Sequence, residues 1–226
     1  MRISIIIPAL NEAASICSTL ERLQPLRARG HEVVVVDGGS RDGTARLAQP
    51  LADRVLHAPA GRARQMNAGA DAATGDLFWF LHADTLAPED ADVVIADAVR
   101  GAGQADAWGR FDVRLSGRRL LLRVVERLMN LRSRITGIAT GDQGLFVTRG
   151  LFVKTGGFPD LPLMEDIEMS RCLGRVHRPL CLYHRLVTSS RRWERQGVVR
   201  TILLMWYLRG AYALGVPAAR LAARYD

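Results

Sequence analysis

The chain has almost no lysine: Lys154 is the single one among 31 cationic residues, and the other 30 are arginine. It has three cysteines, Cys17, Cys172 and Cys181. Their odd number and wide spacing exclude a disulfide framework and a Cys-x-x-Cys metal pair, and a reducing compartment is the expectation. The opening Met-Arg-Ile-Ser-Ile-Ile-Ile-Pro is too short for a secretory leader, and no small-residue cleavage site follows. An uncharged run long enough to span a bilayer is missing too. The stretch Thr201–Ala219 comes nearest, and Arg209 and Pro217 interrupt it. Two phosphate-binding signatures are also lacking. The first apolar run is followed by Pro8-Ala9-Leu10-Asn11-Glu12, without the glycines of G-x-G-x-x-G, and no G-x-x-x-x-G-K-[ST] occurs. A dinucleotide-binding Rossmann domain and a P-loop nucleotidase are thereby excluded.

What is present describes an ordinary globular chain. Its 226 residues are 48% hydrophobic and 24% charged, enough for a core that needs no metal or disulfide staple. The formal charge of +8 (31 cations against 23 acids) favours anionic partners: phosphates, nucleic acid or an anionic membrane surface.

Residues 1–104 alternate apolar runs with helical patterns. Strands are expected at Ile3–Ile7, His31–Val36, Arg54–His57 and Leu77–Leu81. Helices are expected at Glu12–Arg29, Thr44–Leu51, Gly61–Ala73 and Pro88–Arg100. Continuous apolar strands separated by helices predict an α/β fold, with a mainly parallel central sheet flanked by helices. Ligands in such sheets bind beyond the carboxyl ends of the strands. That rule brings Pro8–Glu12, Asp37–Thr44 and His82–Thr85 to one edge. After residue 105 the expectations are strands at Ala107–Leu115, Gln143–Thr148 and Val187–Ser190. Helices are expected at Arg118–Arg134, Met164–Leu173 and Trp193–Leu214. The whole reads as one domain in three parts: 1–104, 105–195 after a change of character near residue 105, and a C-terminal helix at 196–226.

Several constellations can carry chemistry. Asp37 closes a buried strand and is followed by Gly38-Gly39, so a ligand can approach the backbone closely, and the carboxylate can accept from a ribose hydroxyl or a base N–H. Asp42 reads instead as a turn residue capping the next helix. His82 and Asp84 lie two apart on an extended segment and point the same way, where a carboxylate suits Mg²⁺ or Mn²⁺. Glu165 and Asp166 at a helix start either favour the helix dipole or supply a general base. A metal carboxylate at Asp84 and a base at Asp166 form a complete set for displacing a diphosphate. Arg191-Arg192-Trp193 places guanidinium forks beside an indole, a pattern that serves phosphate oxygens or a solvated helix start. The Gly61–Asn67 segment, with Arg62, Arg64 and Asn67, can hold a phosphate or a base.

Taken together these segments resemble the family 2 glycosyltransferases. Pro8-x-x-Asn11-Glu12, Asp37-Gly-Gly-Ser-x-Asp42-Gly-Thr44, Asn67-x-Gly69, Phe-Leu-His-Ala-Asp84, Glu165-Asp166 and Arg192-Trp193 stand in that family's order over about residues 3–195. The resemblance implies a GT-A fold (Rossmann-like, of the nucleotide-diphospho-sugar transferase type), Mn²⁺ or Mg²⁺, and inversion at the anomeric carbon. It implies a UDP-, GDP- or dTDP-linked sugar as donor and a small or lipid-linked acceptor. By position, Pro8, Asn11 and Glu12 border the nucleoside, Asp37 contacts the base and Asp84 holds the metal. Asp166 deprotonates the acceptor with Glu165 beside it, and Arg192 and Trp193 frame diphosphate and acceptor. The chain departs from the pattern where the D-x-D position reads His82-Ala83-Asp84, and where Met66 precedes Asn67, leaving Arg62 or Arg64 to supply the cation. Ser189 stands where processive members carry Gln, which points to single transfers. The chain also resembles a small stand-alone subgroup associated with arsenosugar biosynthesis. A non-catalytic nucleotide-sugar-binding protein on the same fold is the alternative.

The remaining signal is amphipathic. Arg119, Arg123 and Arg127 form one helical stripe beside Leu121, Val124, Val125 and Leu128, and the last helix adds Ile202, Leu203, Met205, Trp206 and Tyr207. Such helices pack on the sheet, on a second copy in a homodimer, or on an anionic bilayer. A cytoplasmic protein, peripheral on the inner face of the membrane in the last case, is the expectation. Nucleic acid is not an expected partner, because no recognition motif is visible and acids line the proposed cleft.

Overall fold

A computed structural model describes residues 1–225. In chain order its elements are β1 (Ile3–Ala9), α1 (Ile16–Arg22), α2 (Gln24–Ala28), β2 (Glu32–Asp37), α3 (Thr44–Ala48) and β3 (Arg54–His57). Then follow α4 (Arg62–Ala72), β4 (Leu77–Phe80), β5 (Thr85–Leu86), α5 (Ala91–Gly101), β6 (Trp108–Leu115) and α6 (Leu120–Thr136). A 3-10 turn (Gly141–Gln143) leads to β7 (Phe146–Thr148), α7 (Arg149–Thr155), α8 (Glu165–Gly174), β8 (Leu180–Thr188), α9 (Arg191–Gln196), α10 (Val198–Ala213) and α11 (Ala218–Tyr225).

The strands form one sheet in the order β3-β2-β1-β4-β7-β6-β8-β5. β3, β2, β1 and β4 run parallel. β7 is antiparallel to both β4 and β6, β8 is parallel to β6, and β5 is antiparallel to β8. The α/β sheet is therefore mixed, with its parallel part in the first half. Alternate residues of each central strand serve opposite faces. Ile5, Ile7, Val33, Val35 and Trp79 pack under α1, α2 and α5. Ile6, Val34, Val36, Phe78 and Phe80 pack under α4, α7 and α8.

Two expected helices are broken. The pattern over Glu12–Arg29 divides at Leu23, because Pro25 lacks an N–H and restarts the helix as α2. Gly197, at φ +84°, separates α9 from α10 within the expected Trp193–Leu214. The strand expected at Val187–Ser190 runs instead from Leu180 to Thr188. Its first half is only partly buried, so it lacks the alternation that marks a strand in sequence.

Candidate active site

Three loops converge at the carboxyl ends of β1, β2 and β4, and hydrogen bonds lace the first two together. Asn11 N–H donates to Ser40 Oγ (2.9 Å) and Arg41 N–H to Asn11 Oδ1 (2.9 Å). Glu12 N–H donates to Thr44 Oγ1 (2.8 Å) and Ala13 N–H to Asp42 Oδ2 (3.0 Å). Asp42 also accepts from Thr44 N–H, so it is the turn residue its spacing suggests. Asn11 serves the loop with both its backbone and its side chain, and it takes a left-handed φ of +55° to do so.

Asp37 is the buried end of this arrangement. Its Oδ2 accepts from Gly39 N–H and Ser40 N–H, both at 3.0 Å, and lies 3.4 Å from His57 Nδ1. Burial pushes its pKa up, but the Ser40 and Gly39 donors and His57 outweigh burial and keep the carboxyl below its ordinary value. Its Oδ1 is buried without a donor. A buried carboxylate oxygen left unpaired is costly unless something else fills the position. Gly38 lies against Gln65, which has no role in the sequence reading. The Gln65 amide donates to Ala9 O (2.9 Å) and Val36 O (2.8 Å), pinning the ends of β1 and β2 together.

Asp84 sits beyond β4. Burial raises its pKa and so do Glu12 and Asp142, against the opposing influence of His82 and Arg191. The Arg191 guanidinium bridges Glu12 Oε2 (2.7 Å) and Asp84 Oδ2 (3.3 Å), so a cation already sits between these two acids. A pocket of about 270 Å³ opens beside Asp84 and Arg191, with the hydroxyls of Ser15, Ser18, Thr19, Ser116, Thr188 and Ser189 in its wall. On the other side a narrow crevice of about 20 Å³ is lined by Pro8, Phe80, His82, Gly141, Glu165 and Asp166, among others.

The 3-10 turn closes that crevice. His82 Nδ1 lies 3.4 Å from Asp142 Oδ1, and its ring packs so closely on Gly141 that a Cβ there would meet Nε2 at 2.3 Å. Burial raises the pKa of Asp142, but His82, Arg62 and Arg192 more than offset it and hold the carboxyl below its usual range. Asp142 joins the candidate site through His82, and the sequence reading missed it. Its only signal was Thr140-Gly-Asp-Gln143, whose first and last residues form a capping box.

Met164, at φ +71°, turns the chain into α8, and with Asn11 it is one of two non-glycine residues with a left-handed backbone among the described residues. Both border the site, where such strain tends to gather. Asp166 Oδ2 accepts from Gly141 N–H at 3.0 Å, tying α8 to the 3-10 turn. Glu165 is buried beside it. Burial and Asp166 raise its pKa, while Arg62 Nη1, 3.8 Å away, opposes them. Burial works against the charge of Arg62, yet Tyr225, Glu165 and Asp142 hold its pKa above that of an ordinary arginine. Arg132 of α6 and Arg209 of α10 lie within electrostatic reach of Asp166. Burial and Arg209 push Arg132 down to about 10, with Asp166 opposing, and burial also lowers Arg209.

The structure thus brings together Pro8, Glu12, Asp37, Gly38, Arg62, His82, Asp84, Glu165, Asp166 and Arg191 along one continuous edge. Four other candidates have different partners. Arg64 forms a surface pair with Asp160 at 2.9 Å. The Asn67 amide is used on both sides by the Phe158 backbone, at 2.8 and 2.9 Å. Trp193 packs into a satellite core with Leu122, Val125 and Val198. Arg192 stacks on the Tyr225 ring, 3.5 Å from its centroid, at the margin of the cleft.

Among the described residues no three His, Cys, Asp or Glu side chains gather closely enough to hold a metal ion by themselves. The excess of negative charge around Asp84, answered here by Arg191, fits an ion bound mostly by phosphate oxygens and water, with one protein carboxylate.

A family model described as glycosyl transferase family 2 matches residues 4–152. An undecaprenyl-phosphate 4-deoxy-4-formamido-L-arabinose transferase of Pseudomonas aeruginosa is 31% identical over 166 residues, which cover 63% of this chain and 44% of that protein. The chain therefore spans less than half the length of that relative. The structure of S. aureus TarS 1-349 superposes with a TM-score of 0.68 at 19% identity, covering 84% of this chain and 61% of that one. The mannosyltransferase PcManGT from Pyrobaculum calidifontis, solved with GDP-Man and Mn²⁺, superposes at 0.62 with 24% identity, covering 82% and 56%. These likenesses identify the fold as GT-A.

Proposed function

The chain belongs to glycosyl transferase family 2, and from that premise we propose that it is an inverting glycosyltransferase, moving a sugar from a nucleotide diphosphate to an acceptor hydroxyl. The observation that carries the reading is Asp37: a buried carboxylate at the carboxyl end of a parallel strand, kept ionised, with one oxygen saturated and the other unpaired. A base N–H or a ribose hydroxyl satisfies that oxygen. Pro8, Gly38 and the laced Asn11 and Glu12 loop give the nucleoside its walls. The UDP-, GDP- or dTDP-linked donor extends from there past Asp84 toward Glu165 and Asp166, with residues 1–104 forming the donor half and 105–195 the acceptor half.

Asp84 would hold the divalent ion, Mn²⁺ or Mg²⁺, and such an ion neutralises charge on a departing diphosphate. The protein's own cations, Arg62, Arg191 and Arg192, supply further charge for that group. Asp166 takes the acceptor proton as the hydroxyl oxygen bonds to the anomeric carbon, and the bond from that carbon to the diphosphate oxygen breaks. The proton ends on Asp166, the electron pair on the nucleotide diphosphate, and the configuration inverts. Glu165, held toward its neutral form, keeps a second negative charge from crowding the base. Arg132 and Arg209 suit an acceptor with an anionic group near its hydroxyl. The Pseudomonas aeruginosa relative, named for undecaprenyl phosphate, supports a lipid-linked acceptor. A site on the inner face of the cytoplasmic membrane is consistent with that class.

The test is thermal denaturation with UDP, GDP and dTDP, each with and without Mn²⁺. A ligand at about 100 times its Kd stabilises by about 2.7 kcal/mol. A metal-dependent rise with one nucleotide, followed by transfer of its sugar, is the expected outcome, and no rise with any of them refutes the donor site. Binding without transfer would favour a nucleotide-sugar-binding protein, the reading that His82 at the first acidic position supports.

A further inference from the structure

The helices that flank the acceptor end turn apolar residues outward. On α6, Leu120 (84% exposed), Val124, Leu128, Leu131 and Ile135 (75%) recur at spacings of three and four and form one stripe. On α10, Val199, Leu203 (60%), Trp206 (69%) and Tyr207 form another. The two helices meet through Leu122, Val125 and Met129 on α6 and Val198 and Ile202 on α10, so the stripes lie on neighbouring helices. Large apolar side chains exposed in this number on two neighbouring helices mark an interaction surface.

The charge around it is mostly basic, with Glu194, bonded to Ser190 Oγ, as the exposed acid of α9. Arg118, Arg119 and Arg127 are exposed on the α6 side, and Arg195 and Arg200 on the α10 side. None of the five has an acid within salt-bridge distance among the described residues. The single acid of α6, Glu126, is buried and accepts from Leu115 N–H at 2.5 Å. Arg123, expected in the outer stripe, turns inward to Leu115 O (2.5 Å) and Gly117 O (2.7 Å). Apolar stripes that include an indole and a phenol, with arginines on the flanking segments, match the acyl and headgroup layers of an anionic bilayer. A second copy fits worse, because a two-fold contact would press each arginine rim against its twin.

We propose that the α6 and α10 face docks on anionic lipid membranes. The inner side of α10 gives the docking a purpose: Met205 and Leu208 pack against Met164 and Ile167, which flank Asp166. A membrane on the outer side therefore lies next to the acceptor end of the cleft. The inference extends the lipid-acceptor part of the proposed function.

The test is co-sedimentation of the full chain with vesicles of phosphatidylcholine alone and with added phosphatidylglycerol, free of any donor or acceptor. Failure there leaves the transferase reading untouched, and failure of the nucleotide test leaves this one untouched. Binding is expected to the anionic vesicles only, with Trp206 fluorescence quenched by brominated acyl chains and the quenching lost in Trp206→Phe. Arg119→Gln with Arg127→Gln should weaken partitioning roughly 25-fold, about fivefold for each arginine. Leu128→Glu with Leu203→Glu should abolish it. These side chains are exposed, and an unchanged melting temperature verifies that each variant is folded. No binding to anionic vesicles, equal binding to both vesicle types, or a dimer in sedimentation equilibrium that Leu203→Glu dissociates would each overturn the proposal.

Discussion

Replacing Asp166 by Asn removes one negative charge and leaves the side chain's shape unchanged. In the folded protein Asp166 Oδ2 accepts from Gly141 N–H at 3.0 Å and Oδ1 from Ile167 N–H at 2.8 Å. The Asn carbonyl can keep one of these bonds, while its amide faces the other donor. Losing one bond at a half-buried position costs about 1 kcal/mol, a fall of about 2–4 °C in melting temperature for a chain of this size. The catalytic loss is larger. A general base contributes about 10²–10⁴ in rate, which at about 1.36 kcal/mol per decade is roughly 2.7–5.4 kcal/mol of barrier. Folding and chemistry therefore separate cleanly: Asp166→Asn should remain folded, keep its nucleotide-induced rise in melting temperature, and lose at least a hundredfold in kcat. The assay is nucleotide diphosphate release at saturating donor and acceptor. A kcat within about fivefold of the parent, in a variant of normal stability, would falsify the assignment of Asp166 as base. Loss of the nucleotide effect would instead move the residue to the donor site.

Asp84→Asn should abolish the metal-dependent part of the nucleotide-induced melting shift and spare any metal-free part. An undiminished Mn²⁺ effect would remove Asp84 from the metal's surroundings. Gly69→Ala should destabilise by about 1–3 kcal/mol, since its Cβ would meet Ile6 Cγ2 at 2.4 Å and Val36 Cγ2 at 3.0 Å where α4 crosses the sheet. Urea titration measures this, and an unchanged midpoint would contradict so close an approach. Acid should weaken the fold partly through Asp92. Burial raises its pKa, but hydrogen bonds from Arg29 (2.7 Å) and His31 (2.9 Å) outweigh that and depress it below the unfolded value of about 3.9. The stability it contributes is present above about pH 4 and lost as the pH falls through the folded value. Asp92→Asn should lower the melting temperature at pH 7 and flatten its decline toward pH 3, as scanning calorimetry across that range would show.

The parallel strands of the first half were legible because their local signals agreed with the tertiary result. The valine run ending at Asp37 and the isoleucine run ending at Pro8 have β-branched side chains suited to a sheet buried on both faces, and the segments after them fall at the carboxyl edge of its parallel strands whatever else the chain does. Spacing also marked the edge of the D-x-D position and the acidic pair at the start of α8.

Other features depended on contacts between residues far apart. The strand β8 is paired rather than patterned: Leu180–Thr188 is held by β6, and its half-exposed first part has no period of its own. Asp142 and Gln65 acquire their places from His82 and from the ends of β1 and β2, partners about sixty and thirty to fifty-six residues away in the chain. Asn67 and Trp193 had functional-looking neighbours in sequence, and Phe158 and the α6–α10 contact claimed them instead. The direction in which an amphipathic helix turns its apolar face is likewise invisible in its period. The sequence by itself determined that α6 has such a stripe, and only the packing of Leu122 and Val125 inward decided that Leu128 and Leu131 face out. Periodicity is a property of one segment, whereas burial is decided by what lies across from it.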